Sequence, residues 1–326
     1  MTERDAAPQP RFVGANRGSM AQKLRTMPRD ARVARFLDPE VVSRLRHMEL
    51  RARLVVEGFL QGMHRSPYHG FSVEFAEYRQ YIPGDAPRYV DWKVYGKTDR
   101  YYVKVFEEET NLKGVVLLDK SASMGFAGKG VSKLRWGSML AASIAFLMIK
   151  QQDAAGLVLF DDAIREYVPP RSVRGQMFQL LRTLEQVTPS DRTRLSTALH
   201  GMAERLRRRG LCILISDLFD DTESVMRGLK HFRHRQHEVI VFHVLDDLER
   251  TFDYSDEARF VDMETGQEIR SQPWFVKKDY RARVDNWMRD LARQCREHQI
   301  DYVPVTTSTP FDRALLAYLN KRSQLG

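Results

Sequence analysis

The chain has 326 residues, 43% of them hydrophobic and 29% charged, with a formal net charge of +9. That length suits one large domain, or one domain with a smaller appendage, and the apolar content is enough for a packed core. No apolar run approaches the ~18 residues of a membrane-spanning helix, and two cysteines, Cys212 and Cys295, make neither a disulfide framework nor a zinc set.

The first 35 residues are polar and Arg-rich with no clear period, so they read as a flexible basic arm. They lack the apolar segment of a secretory leader, and a reduced cytoplasmic setting is expected. Asp38 and Pro39 signal a helix start. The apolar positions Val41, Val42, Leu45, Met48, Leu50, Leu54, Val55 and Leu60 follow at helical spacing, and Ser66 to Gly70 break the pattern. From Phe71 to Phe106 come short aromatic and β-branched segments around the turn Pro83-Gly84-Asp85, with a strand expected at Tyr101 to Phe106.

From Gly114 onward strands alternate with helices, which predicts a three-layer, doubly wound and mainly parallel α/β sheet. Strands are expected at Val115 to Leu118, Ala155 to Phe160, 211–216, Val239 to Val244 and Asp301 to Val305, with a short edge strand at Ile164 to Val168. Helices are expected at Leu134 to Ile149 and near 172–187, 195–209, 222–235, 276–298 and 310–321. Leu134 to Ile149 is apolar on most sides and so reads as buried. One segment departs from the alternation: Phe260 to Gln272, turning at Thr265-Gly266, reads as an inserted hairpin.

The strand at Val115 ends in Asp119-Lys120-Ser121-Ala122-Ser123, which puts one carboxylate and two hydroxyls on one tight loop. A hard divalent cation such as Mg²⁺ takes such oxygen ligands and keeps several waters. Thr193 opens a later helix and Asp217 ends the strand at 211–216, so three loops can converge at one end of a parallel sheet, where such sheets bind ligands. The alternative is that Ser121 and Ser123 cap the following helix and Asp119 merely closes a strand.

Other signals are weaker. Gly125 to Gly130 suggests a phosphate loop, but Ser123 stands where the Walker pattern needs Gly and Gly130 where it needs Ser or Thr, so a mobile loop is the expectation. His231, His234 and His237 at period three do not share one helical face, and a solvated helix end is expected. Asp220 and Asp221 read as the start of the next helix, with an acidic rim to the site as the alternative. Arg205, Arg207, Arg208 and Arg209 precede Gly210 at a predicted helix end, where the dipole favours cations and Gly closes the turn. The positive balance permits nucleic-acid binding, although the charge is spread rather than gathered. No catalytic motif with a nucleophile and base is present, so no enzyme is expected.

The D-x-S-x-S, Thr and Asp series resembles the metal-ion-dependent adhesion site of von Willebrand factor A domains. Upstream, Glu74 to Trp92 (EFAEYRQYIPGDAPRYVDW) resembles the signature of the domain-of-unknown-function family 58, over about residues 40–320. The resemblance implies a division into the arm at 1–35, a helix and β-rich signature region at 36–112, and a von Willebrand factor A-like domain at 113–326 with a hairpin near 257–273. It implies Asp119, Ser121, Ser123, Thr193 and Asp217 as ligands of Mg²⁺, or of another divalent cation such as Mn²⁺. It further implies a non-enzymatic, metal-dependent adaptor or chaperone partner of a MoxR-type AAA+ ATPase or its client, engaged through an acidic residue that completes the metal shell. A nucleic-acid-binding protein using the basic surface is the alternative. Arg79, Gly84, Asp85, Arg88, Asp91 and Trp92 carry the signature; as residues they suggest a charge network around a turn anchored by Trp92, or a docking surface. Arg194, where the family pattern often has Asp, is a departure that bears on metal affinity.

Overall fold

The computed structural model describes residues 38–43, 47–63, 78–81, 92, 95–96, 99–104, 112–190, 195–206, 209–254, 258–261 and 267–325. Two helices, Pro39–Ser43 (α1) and Met48–Met63 (α2), precede two three-residue strands, Tyr78–Gln80 (β1) and Tyr102–Lys104 (β2), which pair antiparallel. Then follow Lys113–Asp119 (β3), Lys133–Lys150 (α3), Ala154–Phe160 (β4), Ile164–Arg171 (β5), Arg174–Gln186 (α4), Leu195–Arg205 (α5), Leu211–Ser216 (β6), Thr222–His234 (α6) and Glu238–Leu245 (β7). The chain continues through Asp247–Thr251 (α7), Ala258–Val261 (β8), Glu268–Ser271 (β9), Pro273–Glu297 (α8), Asp301–Thr306 (β10) and Phe311–Ser323 (α9).

Six strands form the central sheet in the order β10-β7-β6-β3-β4-β5. All neighbours are parallel except β5, which runs antiparallel to β4 at one edge. Both faces are covered, so the inner strands read as unbroken apolar runs rather than alternating ones. Val116 and Leu118 with Ile213 and Ile215 pack beneath α2, α3, α4 and α9. Val115 and Leu117 with Cys212 and Leu214 pack against α5, α6 and α8. The fold is a three-layer, doubly wound, mainly parallel α/β sheet, with the β1–β2 pair as a small β addition.

Helix α3 is the centre of one layer. Ser132 caps it, its hydroxyl accepting from Arg135 N–H at 3.2 Å. Leu134 to Met148 are buried except at Arg135 and Phe146. A side chain at Gly137 would meet Leu118 and Ile215 at 3.0 Å, so the glycine lets α3 lie close over β3 and β6. Met48, Ala52, Val55, Val56 and Phe59 of α2 join the same core, which ties the N-terminal helix to the sheet layer.

The path of the chain reverses beside β3. It moves outward through β4 and β5, crosses back to β6 on the other side of β3, and continues to β7 and β10. The switch point, where an open α/β sheet leaves a crevice at its carboxyl end, therefore lies between β3 and β6.

Several local expectations are corrected. The first helix is described as two pieces, and Leu50 faces solvent rather than the core. The edge strand runs to Arg171 because β4 supplies an antiparallel partner along its length, with register shifts on the way. Helix α5 stops at Arg205; α8 begins at Pro273, which suits the first helical position because it has no N–H to leave unpaired. The inserted hairpin is present as β8 paired with β9, while Thr265 and Gly266 fall outside the described residues. So does the N-terminal arm. Helix α6 ends at His234, and His237 beyond it is buried, sharing a hydrogen bond with the Leu206 carbonyl at 2.9 Å. His231 meets His200 with Nδ1 atoms 3.2 Å apart. Only His234 of the three fits a solvated helix end.

Candidate functional site

Asp119 is the last residue of β3 and Asp217 the first after β6, so the two carboxylates flank the switch point. Both are buried at 1% exposure. Asp119 Oδ1 accepts from Ser121 N–H at 2.8 Å, and its Oδ2 accepts from the Ser216 hydroxyl at 2.6 Å. The Ser121 and Ser123 hydroxyls share a hydrogen bond at 3.1 Å above this carboxylate's loop. Ser121 is fully buried and Ser123 partly so. Neither serine caps α3, since Ser132 does; that removes helix capping as their role.

Asp217 has different partners. Its Oδ1 accepts from Phe219 N–H at 3.2 Å, and its Oδ2 takes the Lys133 ammonium at 2.8 Å. Leu218 between them sits at φ 56°, in the left-handed region, and donates its N–H to the Ser216 hydroxyl at 3.0 Å. A buried β-sheet residue's neighbour in that conformation is uncommon and stores backbone strain of a kind that gathers at functional sites. Here it turns the chain so that Ser216 serves Asp119 while Asp217 faces Lys133.

Lys133 is fully buried, and its ammonium also meets Glu249 at 2.6 Å. Glu249 belongs to the capping box that starts α7: its other oxygen accepts from Asp246 N–H at 2.8 Å. Asp246 in turn accepts from Gly128 N–H at 3.1 Å and the Thr307 hydroxyl at 3.1 Å. The Gly125–Gly130 segment, expected to be mobile, is thus pinned at Gly128, where any side chain would meet Asp246 Oδ1 at 2.4 Å.

Charge is incompletely balanced. Asp119's carboxyl is pushed up to about 7, first by burial and then by Asp217 nearby, against the hydrogen bonds from Ser216 and Ser121. Burial also raises Glu249, with Lys133 opposing. Lys133 is held above its ordinary value because Asp217 and Glu249 outweigh the burial that would lower it. His243 on β7, hydrogen-bonded to the Tyr302 hydroxyl at 2.5 Å, is pushed down to about 4 by burial.

Thr193 lies outside the described residues, as does Arg194. The described residues on either side of that segment are tied to the two site loops. Ser190 donates its N–H to the Lys120 carbonyl at 2.8 Å, and Ser196 N–H donates to Asp220 Oδ2 at 3.2 Å. Asp221 caps α6 as expected, whereas Asp220 makes that link to α5.

Gly84, Asp85, Arg88 and Asp91 also lie outside the described residues. Arg79 pairs with Val103 in the β1–β2 ladder. Trp92 is 60% exposed, and among the described residues its ring meets Tyr95 edge-on at 6.2 Å between ring centres, so it is not the buried anchor expected of it.

Lys133, Ser216 and Glu249 were not singled out from the sequence. Lys133 carries a signal: a cation in the first turn of an apolar helix opposes the helix dipole and needs a specific partner. Its partners are 84 and 116 residues away, and nothing local names them.

Among the described residues no group of three or more His, Cys, Asp and Glu side chains is placed to hold an ion. A cation here would rest on hydroxyls, one or two carboxylates and water, which is the oxygen-rich, partly hydrated shell that Mg²⁺ prefers. The hydroxyl pair and the neutral partners of Asp119 fit such an ion. Asp119, Ser121 and Ser123 would hold it, with Asp217 beside it.

The family model described as "Protein of unknown function DUF58" matches residues 77–294, which include both Trp92 and the switch point. A Mycobacterium tuberculosis (strain ATCC 25618 / H37Rv) relative, "Uncharacterized protein Rv1480", is 29% identical over 264 residues, covering 79% of this chain and 82% of the relative. Among solved structures, the conserved hypothetical protein BatB from Bacteroides thetaiotaomicron aligns with 14% identity and a TM-score of 0.45, over 65% of this chain and 99% of that one. The SpRpn10 VWA domain aligns with 12% identity and a TM-score of 0.34, over 66% of this chain and 97% of that one. No helix among the described residues is long and apolar enough to cross a membrane.

Proposed function

The chain belongs to the DUF58 family, and from that premise we propose that it is a non-enzymatic protein-binding module whose metal site at the sheet's switch point engages an acidic residue of a partner. The observation that carries this reading is the arrangement of buried Asp119, Ser121 and Asp217 with half-buried Ser123 at the carboxyl ends of β3 and β6, where Asp119 has hydrogen-bond donors but, among the described residues, no cation beside it. A divalent cation bound here would supply positive charge to attract an acidic oxygen of a partner. Asp119 and the two hydroxyls would hold it, the Ser216 hydroxyl fixes the Asp119 carboxylate, and burial of Asp119 limits competition from bulk water on the protein side.

The binding reading is favoured over a catalytic one by the company of the site. The described partners of the ligand set are Lys133, backbone N–H groups and hydroxyls, and none is placed as a general base toward an attacking water. The rim is suited to a protein surface. Phe219, two residues past Asp217, is 41% exposed, stacks on Trp287 with ring centres 5.5 Å apart, and lies 4.7 Å from the Lys133 ammonium. Aromatic residues beside a charged anchor are common at the centre of protein interfaces. The partner implied by the family resemblance is a MoxR-type AAA+ ATPase or its client.

The test is direct binding between the purified chain and a MoxR-type AAA+ ATPase from the same organism, in Mg²⁺ and in EDTA. Retention in Mg²⁺, loss in EDTA and loss with Asp119→Ala are expected, with circular dichroism confirming that the variant folds. Retention that ignores both EDTA and Asp119→Ala would remove the metal-dependent mechanism. Binding of nucleic acid instead, weakening steeply with salt, would transfer the function to the basic surface.

A further inference from the structure

We propose that Lys133 is a built-in cation of the switch-point site, which holds the loops after β6 and β7 together without a divalent ion and sets how tightly that ion binds. The inference rests on the metal-site reading above and deepens it.

A lysine is an unfavourable choice at this place on two counts. It is the first residue of α3, where the helix dipole repels a cation, and its side chain is fully buried, where an ammonium loses its water. The structure offsets both with two carboxylates, Asp217 at 2.8 Å and Glu249 at 2.6 Å. The ring of Phe219 at 4.7 Å adds a third favourable contact. Those two carboxylates come from different loops. Asp217 follows β6; Glu249 closes the capping box that fixes Asp246 and, through it, Gly128 and Thr307. One ammonium therefore joins the ligand-bearing loop to the segments that shape the other side of the crevice.

Charge counting gives the second half. Three carboxylates, those of Asp119, Asp217 and Glu249, share this buried region with one ammonium, which contacts only the last two. A divalent cation would meet the charge that Lys133 does not. With no lysine the cluster carries three negatives and demands the ion in order to stay assembled. With the lysine it tolerates the ion's absence, and because Asp217 already has a counter-ion, Asp119 and the two hydroxyls would do most of the holding and the ion would be bound less tightly.

The experiment measures Mn²⁺ alone binding to the full-length wild type, Lys133→Met, Lys133→Arg and Glu249→Gln by calorimetry, with thermal melts in EDTA and in Mg²⁺. Lys133→Met removes one positive charge next to the ion, and a buried unit charge at this range shifts affinity by on the order of tenfold or more. Tighter Mn²⁺ binding by Lys133→Met is expected, with a larger Mg²⁺-dependent rise in Tm than the wild type shows. Lys133→Arg should stay close to wild type, and Glu249→Gln should bind several-fold more weakly. Should Lys133→Met fail to fold, Lys133→Gln, which keeps an N–H donor, takes its place. Equal Kd values for a folded Lys133 variant and the wild type, or shifts of the same sign for the Lys133 and Glu249 variants, overturn the proposal and leave the metal site standing. Mn²⁺ binding by none of them removes both.

Discussion

The loops after β3 and β6 lie side by side in the sheet and each carries one carboxylate at 1% exposure, yet the two acids are in opposite circumstances. Asp119 is met by neutral donors, a backbone N–H and the Ser216 hydroxyl. Asp217 is met by a buried ammonium. Equal burial thus leaves one carboxylate without a counter-charge, rising to about 7, and gives the other a permanent partner. The difference teaches that depth alone does not set a carboxylate's electrostatic need. What marks Asp119 is a buried acid whose neighbours satisfy its hydrogen bonds but not its charge.

The largest expected effect comes from breaking the compensated side. In EDTA, Lys133→Met leaves Asp217 and Glu249 buried without their cation, and removing one partner of a buried ion pair costs about 3–5 kcal/mol. Urea melts of the wild type and variant measure it, and saturating Mg²⁺ should recover part of the loss. A melt unchanged in EDTA would mean that the two carboxylates need no internal cation, and the contrast between the loops would collapse.

Acid titration reads the uncompensated side. Asp119 has a folded value near 7 against an ordinary 3.8, so its contribution to stability is fully present below about 4 and is lost as pH rises through 7. His243 has a folded value near 4 against 6.5, so its contribution is present above 6.5 and is lost as pH falls toward 4. The two slopes oppose each other across that window in metal-free protein. Asp119→Asn removes one of them, so stability in EDTA should fall more steeply with acid, by up to about 1.4 kcal/mol per pH unit. Parallel profiles for wild type and Asp119→Asn would show that Asp119 is already neutralised by some other group.

Much of this architecture is legible from local patterns. The runs Val115 to Leu118 and Leu211 to Ile215 announce buried parallel strands, and the polar residues that end them mark the crevice. The D-x-S-x-S spacing places Ser121 and Ser123 together because a two-residue step in a tight loop leaves little freedom. Lys133, Glu249 and Ser216 are not legible in the same way. Their roles depend on which loops the strand order brings together, and order is set by how both faces of the whole sheet are covered, not by any window of sequence. The exposure of Trp92 is not legible either: a large apolar side chain predicts burial only where the fold brings a core to it.

The smallest effect separates two uses of serine within a dozen residues. Ser132 accepts the Arg135 N–H at the start of α3, whereas Ser121 and Ser123 bond each other and no helix end. Ser132→Ala should therefore cost about 1 kcal/mol, the ordinary loss of a helix cap, and leave Mn²⁺ affinity unchanged, since its hydroxyl is committed to the helix. Ser123→Ala should do the reverse, because it is half-buried, caps nothing, and contributes only an oxygen toward the crevice. Parallel melts and Mn²⁺ titrations of the two variants give a crossed pattern if the hydroxyl pair belongs to the ion. If Ser123→Ala instead loses stability and keeps its affinity, the pair is a structural clasp of the β3 loop, and Asp119 is left as a buried acid with no ion to serve.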